Sequence, residues 1–237
     1  VVADLPSRSG LGSSSCFTVC LLHALHSLQG RFVGPLTLAN QAVHIERELV
    51  RERVGLQDQH LCALGGFKRI SFWPENIEAC SISLPLGSLR NFEQRLLLFY
   101  TGLRRTAHEV LDEQIQKSQS GALDGAIQRL VDLAIEAEQL LIAGHFDNFG
   151  RLLHQTWLTK RSLSSKVSNP WIDQCYDQAI ANGALGGKLL GAGSGGFLLF
   201  YCLPEDQPRL RNSLVDLVEV PIKLGLPGSQ IIFADGT

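Results

Sequence analysis

The 237-residue sequence predicts an α+β chain, on three observations. Apolar residues recur at helical spacing over long stretches. Short runs rich in β-branched and aromatic residues alternate with them. At the start, an apolar strand, Val1-Val-Ala-Asp-Leu5, feeds a glycine-serine stretch, Gly10-Leu-Gly-Ser-Ser-Ser15, that runs directly into an apolar-striped helix.

That first helix is expected over residues 13–29, started by Ser13 or a neighbour, with Phe17, Leu21, Ala24, Leu25 and Leu28 packed on the opening strand. His23 and His26 lie three apart on its more polar side; with no third ligand nearby, they read as a solvated face. Gly30 and Gly34-Pro35 break the chain. A second helix is expected over residues 37–53, with Leu38, Ala42, Ile45 and Leu49 on one face and Glu46, Arg47, Glu48, Arg51, Glu52 and Arg53 on the other. Gly55-Leu-Gln-Asp-Gln-His60 leads through a short helical turn to Gly65-Gly66. Runs 67–73 and 77–84, divided by Pro74-Glu-Asn76, predict a hairpin. Pro85 and Gly87 mark the expected domain boundary, giving domains 1–87 and 88–237.

Beyond it, Leu96-Leu-Leu-Phe-Tyr-Thr101 reads as a buried strand. Helices follow at about 104–119, 123–143, 146–159 and 170–182. Strands are then expected at 184–190 and 197–203, a helix near 208–217, and strands at 218–222 and 231–234.

Hydrophobic residues make up 45% of the chain, enough for one large or two modest cores. A net charge of -2 gives no general attraction to nucleic acid or anionic membrane. The six cysteines include no CxxC pair and fit a reduced, cytoplasmic setting. No apolar run approaches the roughly 20 residues that span a bilayer. The chain has no methionine and opens in a strand-like segment, as expected of a fragment missing its N-terminal part.

The loop at residues 6–15 has the chemistry of an anion site. Gly10 and Gly12 let the backbone bend and approach a ligand, and the amides of the helix start point outward with partial positive charge. No GKS or GKT follows, and no third glycine stands at dinucleotide-fold spacing, so a nucleoside triphosphate would be held by another architecture.

Three segments occur in order: this loop, Gly55-Leu-Gln-Asp-Gln-His60, and Gly186-Gly-Lys-Leu-Leu-Gly-Ala-Gly-Ser-Gly-Gly196. Together they resemble the galactokinase, homoserine kinase, mevalonate kinase and phosphomevalonate kinase (GHMP) superfamily over essentially the whole chain. Within it, Ser9-Gly-Leu-Gly-Ser-Ser-Ser15, Gln57-Asp-Gln59 with Gly65-Gly-Phe67, Leu97-Leu-Phe-Tyr-Thr-Gly102 and Ser162-Leu-Ser-Ser-Lys-Val-Ser-Asn-Pro170 are most similar to D-glycero-D-manno-heptose 7-phosphate kinases.

The resemblance implies an N-terminal domain like ribosomal protein S5 domain 2, incomplete here, followed by a ferredoxin-like C-terminal domain with extra helices. It implies ATP and Mg²⁺, with phosphates held by Arg8, Gly10, Leu11, Gly12, Ser13, Ser14 and Ser15, and by Gly193 and Ser194 of the later glycine segment. Arg8 and Ser194 stand where many members have glycine. Arg8 either touches phosphate or is solvated. Ser14, or Ser13, and Glu46 would bind the metal, with Glu48 the rival of Glu46. Asp58 would carry catalysis, as a base or by positioning the acceptor hydroxyl; otherwise it is an N-cap aspartate. Lys160, Arg161 and Lys166 have the composition to bind a distal sugar phosphate, or form an exposed basic loop. The partner implied is a small sugar or sugar phosphate, neither nucleic acid nor membrane, with a homo-oligomer left open. The expected reaction is phosphorylation of the anomeric hydroxyl of the heptose phosphate. The alternatives are another sugar kinase of the superfamily, fucokinase- or galactokinase-like, or a non-catalytic nucleotide-binding fragment.

Overall fold

The computed structural model describes residues 10–84, 87–103 and 107–233. The opening strand and Arg8 lie outside the described residues. The chain divides into two compact units. One takes in residues 12–82 and returns at 224; the other holds residues 83–223 together with 10 and 11.

The first unit is built on three helices. α1 (Ser13–Leu28) starts directly after Gly12. α2 (Pro35–His44) has proline in its first turn, where a missing N–H costs nothing. α3 (Gln57–Leu64) follows, then a hairpin of β1 (Lys68–Phe72) and β2 (Ile77–Ser81), antiparallel with Ile70 opposite Ala79. The small core of this unit is Val19, Leu38, Ala39, Ala42 and Ala63, and its alanines let the helices approach closely.

Two expectations are corrected by the packing of these helices. The apolar stripe of α1 does not face the packed interior: Phe17, Leu21, Ala24, Leu25 and Leu28 are exposed or only partly covered, while Ser15 and Val19 are buried. The interior lies on the opposite side because α2 and α3 pack there. His23 and His26 therefore have partners, Ser229 Oγ at 2.9 Å and Gln41 Oε1 at 2.8 Å. The second helix does not run regularly to Arg53. After His44 it widens into a π-helical turn, Ile45–Leu49, in which the Val50 N–H donates to the Ile45 carbonyl. The extra residue in the turn rotates the facing of the residues after it, and Leu49 emerges 66% exposed.

The second unit opens with a short helix not foreseen in the sequence, α4 (Ser88–Glu93), started by Gly87 in the left-handed region. β3 (Leu96–Tyr100) is buried from Leu96 to Phe99. Four helices follow: α5 (Ala107–Gln119), α6 (Asp124–Ile142), α7 (Phe146–Ser162) and α8 (Pro170–Ala181). The Asn169 side chain caps α8 by accepting from the Ile172 N–H at 3.0 Å. β4 (Ala184–Leu189), β5 (Phe197–Cys202), α9 (Gln207–Ser213) and β6 (Val218–Val220) complete it. The sheet order is β4-β5-β3-β6, with all neighbours antiparallel. Its core gathers Phe99, Trp157, Tyr176, Leu198 and Phe200. α7 sits directly on β4, since a Cβ on Gly186 would lie 2.0 Å from the Gly150 carbonyl oxygen.

From 224 the chain runs back along α3. Gly65 bridges to Pro227, and the Ser229 N–H donates to the Cys62 carbonyl at 2.8 Å. The strand expected at 231–234 is absent among the described residues: 231–233 are irregular, and Ile232 is 95% exposed. Without a neighbouring strand, β propensity alone forms nothing.

Candidate active site

Gly10 and Gly12 both adopt left-handed φ, 88° and 68°, and the half-buried Leu11 lies between them. Gly12 is the N-cap of α1 and has no side chain to cap the first turn, so the amides of Ser13, Ser14 and Ser15 depend on something outside the helix. No acidic residue stands in that turn. The start of a 16-residue helix, entered through glycines, suits a phosphate group.

Asp58 lies in the first turn of α3, inside the helix rather than at its N-cap, which is Leu56. Its side chain packs on the loop: a Cβ built on Gly12 would lie 2.8 Å from the Asp58 Cγ and 3.0 Å from Oδ2. Glycine at position 12 is thus required twice, by φ and by the carboxylate beside it. Behind Asp58, His60 is fully buried; its Nδ1–H donates to the Leu56 carbonyl at 2.7 Å, and Nε2 lies 3.2 Å from Asn40 Oδ1. These contacts tie α3 to α2.

Glu46 continues the buried row Leu38–Ala42 and is only 3% exposed. A carboxylate in that place needs strong partners. Its Oε2 accepts from the Ser15 hydroxyl at 2.9 Å and from the Gln59 amide, whereas Oε1 is buried without a partner. Glu48, the rival, is exposed. The serine that meets Glu46 is therefore Ser15. Ser14, one position earlier on the helix, is exposed, and its carbonyl accepts from Thr18 Oγ1. The first unit thus brings Gly12, Ser15, Glu46, Asp58 and Gln59 together. Gln59 was not singled out in the sequence, although it stands beside Asp58 in the motif; what it does depends on the face of α3 that meets Glu46.

Gly193 and Ser194 belong to the second unit, in the loop between β4 and β5. Ser194 holds φ 66°, a left-handed value, stabilised by its hydroxyl donating to the Lys166 carbonyl at 2.6 Å and its N–H to the Val167 carbonyl at 3.0 Å. A Cβ on Gly193 would meet the Val167 carbonyl oxygen at 2.7 Å, and one on Gly195 the Leu103 carbonyl oxygen at 2.8 Å. The glycines admit two strands of backbone, 101–103 and 166–169, against the loop. Lys160 donates to the carbonyls of Leu189 and Gly191, and Arg161 pairs with Asp173 at 2.9 Å over the Trp157 ring. Both cations are engaged in holding this unit together.

The first unit thus sets a helix start entered through glycines beside the Asp58 side chain, with the buried carboxylate of Glu46 bonded to Ser15. The chain belongs to the GHMP kinase family: residues 1–66 match the GHMP kinases N terminal domain and residues 137–217 the GHMP kinases C terminal domain. It is 30% identical over 213 residues to the D-glycero-alpha-D-manno-heptose 7-phosphate kinase of Campylobacter jejuni, covering 90% of this chain and 63% of that protein. It is 28% identical to the bifunctional fucokinase/GDP-fucose pyrophosphorylase of Arabidopsis thaliana, over 94% of this chain and 21% of that one. The solved structure of a D-glycero-D-manno-heptose 1-phosphate kinase from Bacteroides thetaiotaomicron shares the fold, with TM-score 0.71 and 24% identity over 98% of this chain and 66% of that one. The chain therefore spans less than two thirds of the length of the heptose 7-phosphate kinase it matches.

Proposed function

We propose that the protein is an ATP- and Mg²⁺-dependent sugar kinase that phosphorylates the anomeric hydroxyl of D-glycero-D-manno-heptose 7-phosphate to the 1,7-bisphosphate. The observation that carries the reading is the Asp58 carboxylate packed against Gly12 at the glycine-entered start of α1. ATP phosphates would lie on the amides of Gly12 to Ser15, with Gly10 and Leu11 before them; Arg8, Gly193 and Ser194 are ATP-binding candidates by resemblance alone. Asp58, beside that loop, would take or polarise the proton of the acceptor hydroxyl. Glu46 fits a cation, because its buried Oε1 has no donor and a carboxylate is a hard ligand. Ser15, whose hydroxyl donates to Glu46, or Ser14, one position earlier, would complete such a site. Bound Mg²⁺ would offset charge on the phosphate oxygens.

The heptose substrate rests on the similarity to the Campylobacter jejuni enzyme and on the segment at 162–170. The similarity to a fucokinase supports the second reading, another sugar substrate; a nucleotide-binding protein without turnover is the third. The β-α-β-β-α-β succession of the second unit supports the ferredoxin-like reading, and helices α1 to α3 with their hairpin support the ribosomal protein S5 domain 2-like one. Six free cysteines suit a cytoplasmic setting.

The test is a kinase assay over heptose 7-phosphate, fucose, galactose and mevalonate, with wild type and Asp58→Asn. Turnover of the heptose phosphate, lowered about 100-fold or more in the variant with ATP binding retained, is expected. Activity on fucose or galactose alone would move the substrate, and an undiminished Asp58→Asn would remove that residue from catalysis.

A further inference from the structure

Gln59 is 1% exposed, buried like the apolar core of its unit, and is the neighbour of Asp58 on α3. Its amide donates to Glu46 Oε2, the same oxygen that accepts from Ser15. Its own Oε1 has no donor. A glutamine placed there for packing alone is a poor choice, because a buried amide oxygen left without a donor carries a desolvation cost that an apolar side chain of the same length avoids. What the glutamine supplies, and a leucine or methionine does not, is an N–H aimed at one oxygen of a buried carboxylate.

Resting on the metal reading of Glu46, we infer that Gln59 is a positioning residue: with Ser15 it occupies Oε2 and so leaves Oε1 as the oxygen that takes the cation. The two donors come from different helices, Ser15 from α1 and Gln59 from α3. Glu46, on the π-helical turn, is thereby fixed between the phosphate loop and the helix that carries Asp58. A free carboxylate on a widened turn has several rotamers; two donors on one oxygen select among them. Asp58 and Gln59, adjacent in sequence, thus divide the work, Asp58 toward the acceptor and Gln59 toward the metal ligand.

The experiment measures Mn²⁺ binding by electron paramagnetic resonance in the presence of a non-hydrolysable ATP analogue, for wild type, Gln59→Leu, Gln59→Met and Glu46→Gln. Thermal unfolding confirms that each variant is folded, and the methionine variant serves if the branched leucine does not fit. Both Gln59 variants are expected to weaken Mn²⁺ about 10-fold or more, the scale of losing a group that orients a ligand. In steady state, excess Mg²⁺ should restore their turnover, which a purely structural lesion would not allow. Unchanged Mn²⁺ affinity in a folded Gln59 variant, with Glu46→Gln weakened, overturns the inference alone. If Glu46→Gln binds Mn²⁺ as wild type does, the metal reading falls and the inference with it.

Discussion

Gly12 shows how one residue can hold a site together by what it lacks. Its φ of 68° and the Asp58 carboxylate 2.8 Å from where a Cβ would stand make Gly12→Ala a double lesion. The variant must relax the loop, at about 1–2 kcal/mol for the left-handed backbone, or push Asp58 away. Steady-state kinetics should find kcat/KM for ATP down by about 10-fold or more; wild-type values would mean that loop and carboxylate work independently. The glycine loop was legible in the sequence because its residue types and spacing point to a tight turn before a helix, whereas Asp58 was singled out by the family resemblance; the packing of its carboxylate on Gly12 is read from the structure. The pairing of Ser15 rather than Ser14 with Glu46 was not legible in the sequence. That choice is set by where α1 begins, since each residue turns the side chain by about 100°, and the sequence offers three serines in a row.

At the scale of elements, the segment after α7 is held to α5 by one carboxylate. Glu113 accepts from the Ser164 hydroxyl at 2.7 Å and the Ser165 N–H, and pairs with Lys117 at 2.6 Å. Lys117 first, then Ser164, lower the Glu113 pKa from 4.5 to about 2. A carboxyl depressed by folding stabilises the protein above its unfolded value. That contribution fades as pH falls from 4.5 toward 2. Urea unfolding at about pH 6 and about pH 3 should therefore show a smaller loss of stability in Glu113→Gln than in wild type; equal losses would show that the contact does not form. The helices and strands of this unit follow the periodicity of the sequence closely because each packs on one face or is buried outright, as in Leu96–Phe99. α1 misleads because its apolar row and its packed row differ: Val19 and Ser15 face α2 and α3, and the longer side chains do not. Periodicity identifies a helix but does not say which neighbour the helix meets.

At the scale of the molecule, the return of the chain at 224 makes the first unit discontinuous. Gly65 is where it closes: φ is 59°, and a Cβ there would stand 1.9 Å from the Gly228 nitrogen. Gly65→Ala should destabilise by about 2 kcal/mol or more, lowering Tm by roughly 4–8 °C in a chain of this size. An unchanged melting temperature would show that the returning segment does not dock on α3. The closure also orders assembly. Gly65 and Pro227 are joined through the whole of the second unit, so searching for their contact in an unfolded chain is slow and entropically costly. Once β6 has paired with β3, the long connection collapses to the two short tethers on either side of a folded body. The helices of the candidate active site would then be clasped late, after the larger unit has formed, and a ribosome would have to release the chain through Gly228 before α3 acquires this neighbour.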